Sequence, residues 1–454
     1  MRPVPLALLL VPLSFPSALL AAPEPPSFSG LSAIDNGVIR LGVNLDIGGA
    51  ITWMSLADSE DNVINSADWG RQVQMSFYSG PNPFTPEGVE YSEHWKGLGW
   101  NPIQSGDCYG FRSRVLEHTN DGRTIYTKCI PMHWPLKNYP GECTFEEWIT
   151  LDGPAAIVRC RINNNRPDKT QYSGRDQECP AVYTNGPLYR LVTYSGDKPF
   201  TGDALREIIP KGANSGLFPW TGWSATENWA ALLRDDDFGL GVWNEGAYHT
   251  IGGFAGKPGR GGPKDGPTGY ISPLHVDILD WNIVYEYSYV LILGDLQQIR
   301  EYVYQHAKRP EPPNYVFAKD RQHWTYVNAK DTGWPVQDEL HVLPGENDPQ
   351  MIGPLGFWKA EEAPVLYIRA AYAPGSGPAE VFFSTSEAGF RPERSARFDT
   401  IPDGEYHTYA VDLSACPGYR GNITRLRFDP VGSGGEGQWV KVKSIGFREP
   451  EGGA

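Results

Sequence analysis

What most constrains this chain is its cadence. From about Ile34 to Tyr289, short runs of alternating apolar and polar residues follow one another, separated by turn-forming residues. They include 38–43, 110–117, 124–130, 144–151, 156–162, 182–194, 229–233, 239–243 and 283–293. Period-2 alternation sends successive side chains to opposite faces of a strand. The tetrapeptide Thr119-Asn120-Asp121-Gly122, between two such runs, is a strong hairpin signal. Only residues 296–306 have helical spacing, with Leu296, Ile299 and Val303 on one side. An antiparallel assembly of this length must close its sheets as a sandwich or barrel. The expected class is all-β, and 51 Gly, 40 Pro and 12% aromatic residues agree with it.

A Pro-rich segment at 308–314 (KRPEPPN) marks the expected boundary between a first domain, 30–307, and a second, 315–449. The second has the strand rhythm of one β-sandwich. A Gly-rich stretch, Gly252–Gly269, lies in the first domain without the strand-to-helix setting of a phosphate loop, and reads as a mobile loop beside a binding face. Residues 1–22 carry one early Arg, an apolar run and then small residues, the pattern of a signal peptide, so the mature protein is expected to be secreted or periplasmic. The six cysteines suit that setting and include no C-x-x-C pair. Cys143 and Cys160 flank a turn at 151–154, which leaves a disulfide and two buried thiols both open. With 39 Lys+Arg against 54 Asp+Glu, the net charge is −15. That balance, without a polybasic run, argues against nucleic acid or an anionic membrane as partner.

Several segments could carry chemistry. Tyr91–Asp107 is too polar and Gly-rich for a core strand and holds His94, Trp95, Trp100 and Asp107. Flat aromatic faces stack on sugar C–H surfaces while a few polar groups fix orientation, which suits Trp95 and Trp100; loop packing is the competing reading. His133-Trp134 repeats the pairing. In Glu142–Leu151, alternation puts Glu142, Thr144, Glu146 and Trp148 on one face and Cys143, Phe145, Glu147, Ile149 and Leu151 on the other. The second face reads as core apart from Glu147, the first as a groove or a solvated surface. Glu178 precedes a proline at a strand entrance. Trp220, Trp223, Glu227 and Trp229 form the densest aromatic cluster, where a carboxylate would have a raised pKa. The chain has no G-x-S-x-G elbow, H-E-x-x-H, Walker loop or dinucleotide fingerprint. Its nine scattered histidines leave the question of a metal site open.

The opening IDNGVIRLGVNLDIGGAITWMSL, then NVINSADWGRQVQMSFY and the later TENWAALLRDDDFGLGVW, resemble galactose mutarotase-like β-supersandwich domains over roughly residues 30–300. HWTYVNAKDTGWP, NDPQMIGP and YHTYAVDLSACPGYRGNITRLRFDP resemble the galactose-binding-like jelly rolls of secreted polysaccharide-degrading enzymes. These resemblances imply a supersandwich with a concave groove, then a carbohydrate-binding jelly roll with a structural calcium. Asp331, Asp348 and Asp429 are its candidate oxygen donors, and no other cofactor is required. The leading expectation is a polysaccharide-degrading glycoside hydrolase acting on a polysaccharide or oligosaccharide. Glu146 and Glu227 are its favoured carboxylate pair, with Glu142, Glu178 and Asp107 in reserve. Arg71, Trp95, Trp100, Trp134, Trp148, Arg175, Tyr183, Trp220 and Trp223 would contact the sugar. The first alternative is a polysaccharide lyase. There His94, His133 or Tyr183 takes the proton α to a uronate carboxylate, which Arg71 or Arg175 neutralises. The second alternative is a non-catalytic glycan-binding protein.

Overall fold

The computed structural model describes residues 28–209 and 220–450, so the leader expected at 1–22 lies outside the described residues. Two large antiparallel sheets occupy residues 31–295. The first runs, in spatial order, Leu31–Asp35, Ile39–Asn44, Ala50–Leu56, Val73–Ser76, Arg175–Asn185, Thr268–Asp277, His249–Ala255 and Trp220–Ser224. The second runs Arg206–Ile208, Arg190–Thr193, Trp229–Leu233, Phe238–Trp243, Val284–Asp295, Ala155–Asn164, Cys143–Asp152, Thr124–Ile130 and Arg114–Asn120. The two sheets close on one core, where the Phe77 ring lies 5.2 Å from Phe145 and 6.0 Å from Tyr285. The expected hairpin is present: Asn120 Oδ1 accepts the Gly122 N–H at 2.9 Å and Asp121 Oδ1 the Thr124 N–H at 2.7 Å. Both are side-chain-to-backbone bonds that fix the turn locally.

The helix Leu296–His306 starts at a capping box, in which Asp295 accepts from Gln298 N and Gln298 accepts from Asp295 N. It packs Ile299 and Val303 on the outer face of the second sheet with Trp229, Ala231 and Ile292. Gly241 lets it come this close, because a Cβ there would stand 2.5 Å from Ile299.

Two smaller antiparallel sheets follow. One is Ala329–Asp331, Leu340–Pro344, Val440–Gly446, Val365–Tyr372 and His407–Asp412, with Asn314–Val316 added beside Val440–Gly446. The other is Thr325–Val327, Gln350–Ile352, Asn422–Asp429, Ala379–Thr385 and Ser395–Phe398, with Trp358–Lys359 alongside. They enclose their own core of Phe317, Trp324, Ile368, Phe383 and Ile445. A buried polar seam joins the two sheet pairs. Arg321 bridges Asp280 at 2.7 Å and Asp331 at 2.6 Å, and His323 Nδ1 meets Asp277 at 2.9 Å.

The structure bears on three of the sequence expectations. All six cysteines are free thiols. Cys143 pairs with Asn164 and Cys160 with Glu147, so four residues separate the cysteines along the hairpin. That is roughly 13 Å at strand rise, beyond the ~7 Å limit between bridged Cα atoms. The calcium donors do not form a set either: Asp331 is held by Arg321 and Tyr326, while Asp348 and Asp429 share Arg427. A cation there would have to displace a guanidinium, so these residues do not fit the ion. The Gly-rich stretch begins in the strand His249–Ala255 and ends in Thr268–Asp277, and residues 256–267 are the loop between them. The turn between them is tied down by Arg71, which donates to the carbonyls of Asp265 and Gly266.

Candidate functional site

The face of the first sheet turned away from the second carries an open cleft of about 580 Å³. Its floor is set by an irregularity in the strand Arg175–Asn185. Asp176 and Glu178 face the cleft and Cys179 faces the core, yet Val182 also faces the core, and Ala181 and Tyr183 return to the cleft. Parity changes because the register shifts between Glu178 and Val182 against Thr268–Asp277, and between Glu178 and Ala181 against Val73–Ser76. A bulge of this kind re-aims a side chain, here Glu178.

Glu178 lies in a shell of hydroxyls. Tyr78 Oη donates to Oε2 at 3.0 Å, Tyr270 Oη donates to Oε1, and Ser76 Oγ lies 3.2 Å from Tyr78 Oη. Burial pushes the Glu178 pKa up against the lowering effect of those hydroxyls. Burial, then the neighbouring Glu178 carboxyl, raises Tyr78, Tyr183 and Tyr270 as well, so these phenols remain protonated donors. The residue row across the sheet runs Ser76, Glu178, Leu274, His249 and Ser224. Glu178 and His249 are therefore two strands apart on one face, roughly 10 Å between Cα atoms. Gly222 makes room for the imidazole, since a Cβ there would sit 2.9 Å from His249 Nε2. Burial depresses the His249 pKa and Arg425 depresses it further, against Asp176, which raises it. Glu178 is thus biased to hold its proton and His249 to lack one, the split that assigns acid and base.

Aromatic rings form the walls. Trp95 and Trp134 meet at 5.9 Å on one side; on the other, Tyr270 lies 4.7 Å from Tyr183 and 4.8 Å from Trp220. Arg175 also lines the cleft, its Nη1 donating to the carbonyls of Ser79 and Leu98. The structure thus brings together six of the expected residues: Glu178, Trp95, Trp134, Arg175, Tyr183 and Trp220. Sequence reasoning missed Tyr78, Asp176, His249 and Tyr270. One signal was present, because Gln74, Ser76 and Tyr78 make a polar face opposite the apolar Val73, Met75 and Phe77.

The other expected residues lie elsewhere. Glu146 and Glu227 do not pair across a cleft. Glu146 lies on the outer face of the second sheet under Tyr126, Asn163 and Arg161. Glu227 is fully buried just ahead of the inner strand Trp229–Leu233 of the same sheet, where it accepts from Trp229 Nε1, Phe200 N and Tyr304 Oη. The strands holding Glu146 and following Glu227 are four steps apart, roughly 19 Å, too far to flank one glycosidic bond. Trp148 is on that outer face too, between Arg159 at 4.1 Å and Arg161 at 5.2 Å. Glu142 accepts from Trp100 Nε1 and faces the buried His133 at 3.0 Å, so Glu142, His133 and Trp100 form an internal cluster. Asp107 is buried and accepts the N–H groups of Tyr109, Phe111 and Asn138, a loop staple. Trp223 belongs to the core, Arg71 to the Gly-rich turn, and His94 packs edge-on against Trp95 at 4.4 Å.

Neither a family model nor a curated protein matches the chain. Solved structures do. A galactose mutarotase related enzyme from Lactobacillus acidophilus is similar at 13% identity and TM-score 0.37, over 58% of this chain and 97% of that one. A galactose mutarotase-like protein from Lactobacillus casei is similar at 12% identity and TM-score 0.36, over 58% of this chain and 100% of that one. A 4-alpha-glucanotransferase from Thermococcus litoralis is similar at 11% identity and TM-score 0.33, over 59% of this chain and 37% of that one. The likeness to mutarotase-like folds spans about 59% of the chain, and the remainder is sheet-rich.

Proposed function

We propose that this protein is a saccharide-processing enzyme acting by general acid–base chemistry, with cleavage of a glycosidic bond as its reaction. The observation that supports this most is the row that sets Glu178 and His249 on one cleft face with oppositely displaced pKa values. A sugar ring stacked on the Trp95–Trp134 or Tyr270–Trp220 wall would share the cleft with both. Glu178, protonated and oriented by Tyr78 and Tyr270, donates its proton to the leaving oxygen. Neutral His249, from the other side, takes the proton of an attacking water. A separation of two strands leaves room for that water, as inversion requires. An exported setting, implied by the pattern of residues 1–22, belongs to the same proposal.

Elimination is the second reading, favoured by Arg175, a cleft cation that can neutralise a uronate carboxylate. Incubation with a panel of neutral and acidic polysaccharides separates the readings. New reducing ends without an ultraviolet-absorbing double bond support hydrolysis, and the unsaturated product supports elimination. Binding without any product removes the enzyme reading.

A further inference from the structure

The cleft does not end at the first sheet pair. A cavity of about 250 Å³ shares Asp176, His249, Leu274 and Val276 with it and is walled by Leu355 and Arg425 of the second pair. Arg425 comes from the strand Asn422–Asp429 and donates Nε to the Gly353 carbonyl at 2.6 Å. Arg175 also lines the cleft, next to Asp176 in the chain, with its guanidinium 5.5 Å from the Tyr78 ring.

Among the described residues, neither arginine forms an ion pair. Both bond to carbonyls instead. Arg321 and Arg427, at comparable or deeper burial, meet carboxylates; Arg166, which does not line the cleft, also bonds to carbonyls. Burial lowers the pKa of both arginines, so water solvates them poorly. Asp176 acts on both at a distance and bridges neither. Two half-buried guanidiniums and the exposed Asp176 carboxylate leave a single positive charge in excess along this part of the cleft. A cation in such a place is costly until an anion completes it.

We infer that the cleft takes an acidic saccharide whose carboxylate is received by Arg425, reaching in from the second sheet pair, with Arg175 supplying the second positive charge. The inference rests on the saccharide reading of the cleft. A planar guanidinium matches a carboxylate in two parallel hydrogen bonds, and the single excess charge suits one carboxylate per ring. The second sheet pair thereby becomes part of the specificity of the cleft.

The test is calorimetric titration of the full chain with short oligomers of galacturonate, glucuronate and mannuronate. Each is run beside its neutral methyl ester, with a sulfated galactan oligomer as a further arm. At least one uronate is expected to bind roughly 10-fold or more tighter than its ester, the scale of one hydrogen bond to a charged group. Arg425→Gln should erase that preference while the ester binds as before, which also shows that the variant folds, and Arg175→Gln should erase it as well. Equal binding of acid and ester by the unaltered chain, a preference surviving both substitutions, or preference for the sulfated oligomer would each overturn the inference and leave the saccharide reading standing. No binding of any oligomer would overturn both.

Discussion

Glu147 makes a prediction that the structure carries to a magnitude. Its carboxyl turns into the core between the two large sheets, 1% exposed, with Gln104 Nε2 at 3.3 Å and Tyr289 Oη at 3.4 Å. Burial pushes its pKa up from 4.5 to about 8, against the lowering effect of those two hydrogen bonds. The unfolded chain therefore releases this proton near pH 4.5 and the folded chain only near pH 8. Between those values the unfolded state is increasingly favoured. The stability this group contributes is fully present below pH 4.5 and is lost as pH rises through 8. The gap, 8 − 4.5 = 3.5, at about 1.36 kcal/mol per pH unit, corresponds to roughly 5 kcal/mol lost across the window. Glu147→Gln keeps the shape and hydrogen-bonding capacity but cannot ionise, so it should remove this slope. Urea unfolding followed by Trp fluorescence, repeated from pH 4.5 to above 8, checks it. The variant should gain several kcal/mol on the unaltered protein between the two ends of the range. Parallel stability curves would refute the reasoning.

Arg321→Met should destabilise the chain by about 3–5 kcal/mol, because Asp280 and Asp331 are left buried without their shared cation; denaturant unfolding reads this directly. A fragment of residues 315–449 should still unfold cooperatively, since its core cluster is almost entirely its own; a non-cooperative thermal trace would contradict that. Tyr270→Phe removes a hydrogen bond that lowers the Glu178 pKa, so the alkaline limb of the activity profile should move to higher pH. An unmoved limb would mean that Glu178 is not the titrating acid. The acid limb, set by His249, should stay below its ordinary 6.5 in both proteins.

The fold was legible because alternation and turn chemistry are local. The hairpin at Thr119–Gly122 and the helix at Leu296–His306 both follow from residues adjacent in sequence. The cleft was half legible. Trp95, Trp134, Tyr183 and Trp220 announce themselves as aromatic residues in polar surroundings, but their convergence depends on strand order. Strict alternation also misleads at Glu178, where the bulge breaks the parity that counting assumes. Glu146 and Trp148 do share a strand face with each other, as counted, but that face is the outside of the second sheet. Period 2 says which residues share a face and not which face is the cleft. His249 was invisible because its partner Glu178 lies far away in sequence and meets it only through Leu274. Arg425 was less accessible still, since it reaches the cleft from another sheet pair.

The central claim is that the chemistry resides in the row of Glu178 and His249 and not in the carboxylates of the second sheet. It is tested most directly by kcat/KM on whichever polysaccharide the unaltered protein degrades, measured for Glu178→Gln, His249→Asn and Glu146→Gln side by side. Glu178→Gln and His249→Asn should each lose roughly 10²-fold or more, the scale of a general acid–base contribution, while Glu146→Gln keeps full activity. Full activity in Glu178→Gln, or a loss of that size in Glu146→Gln, would contradict the account.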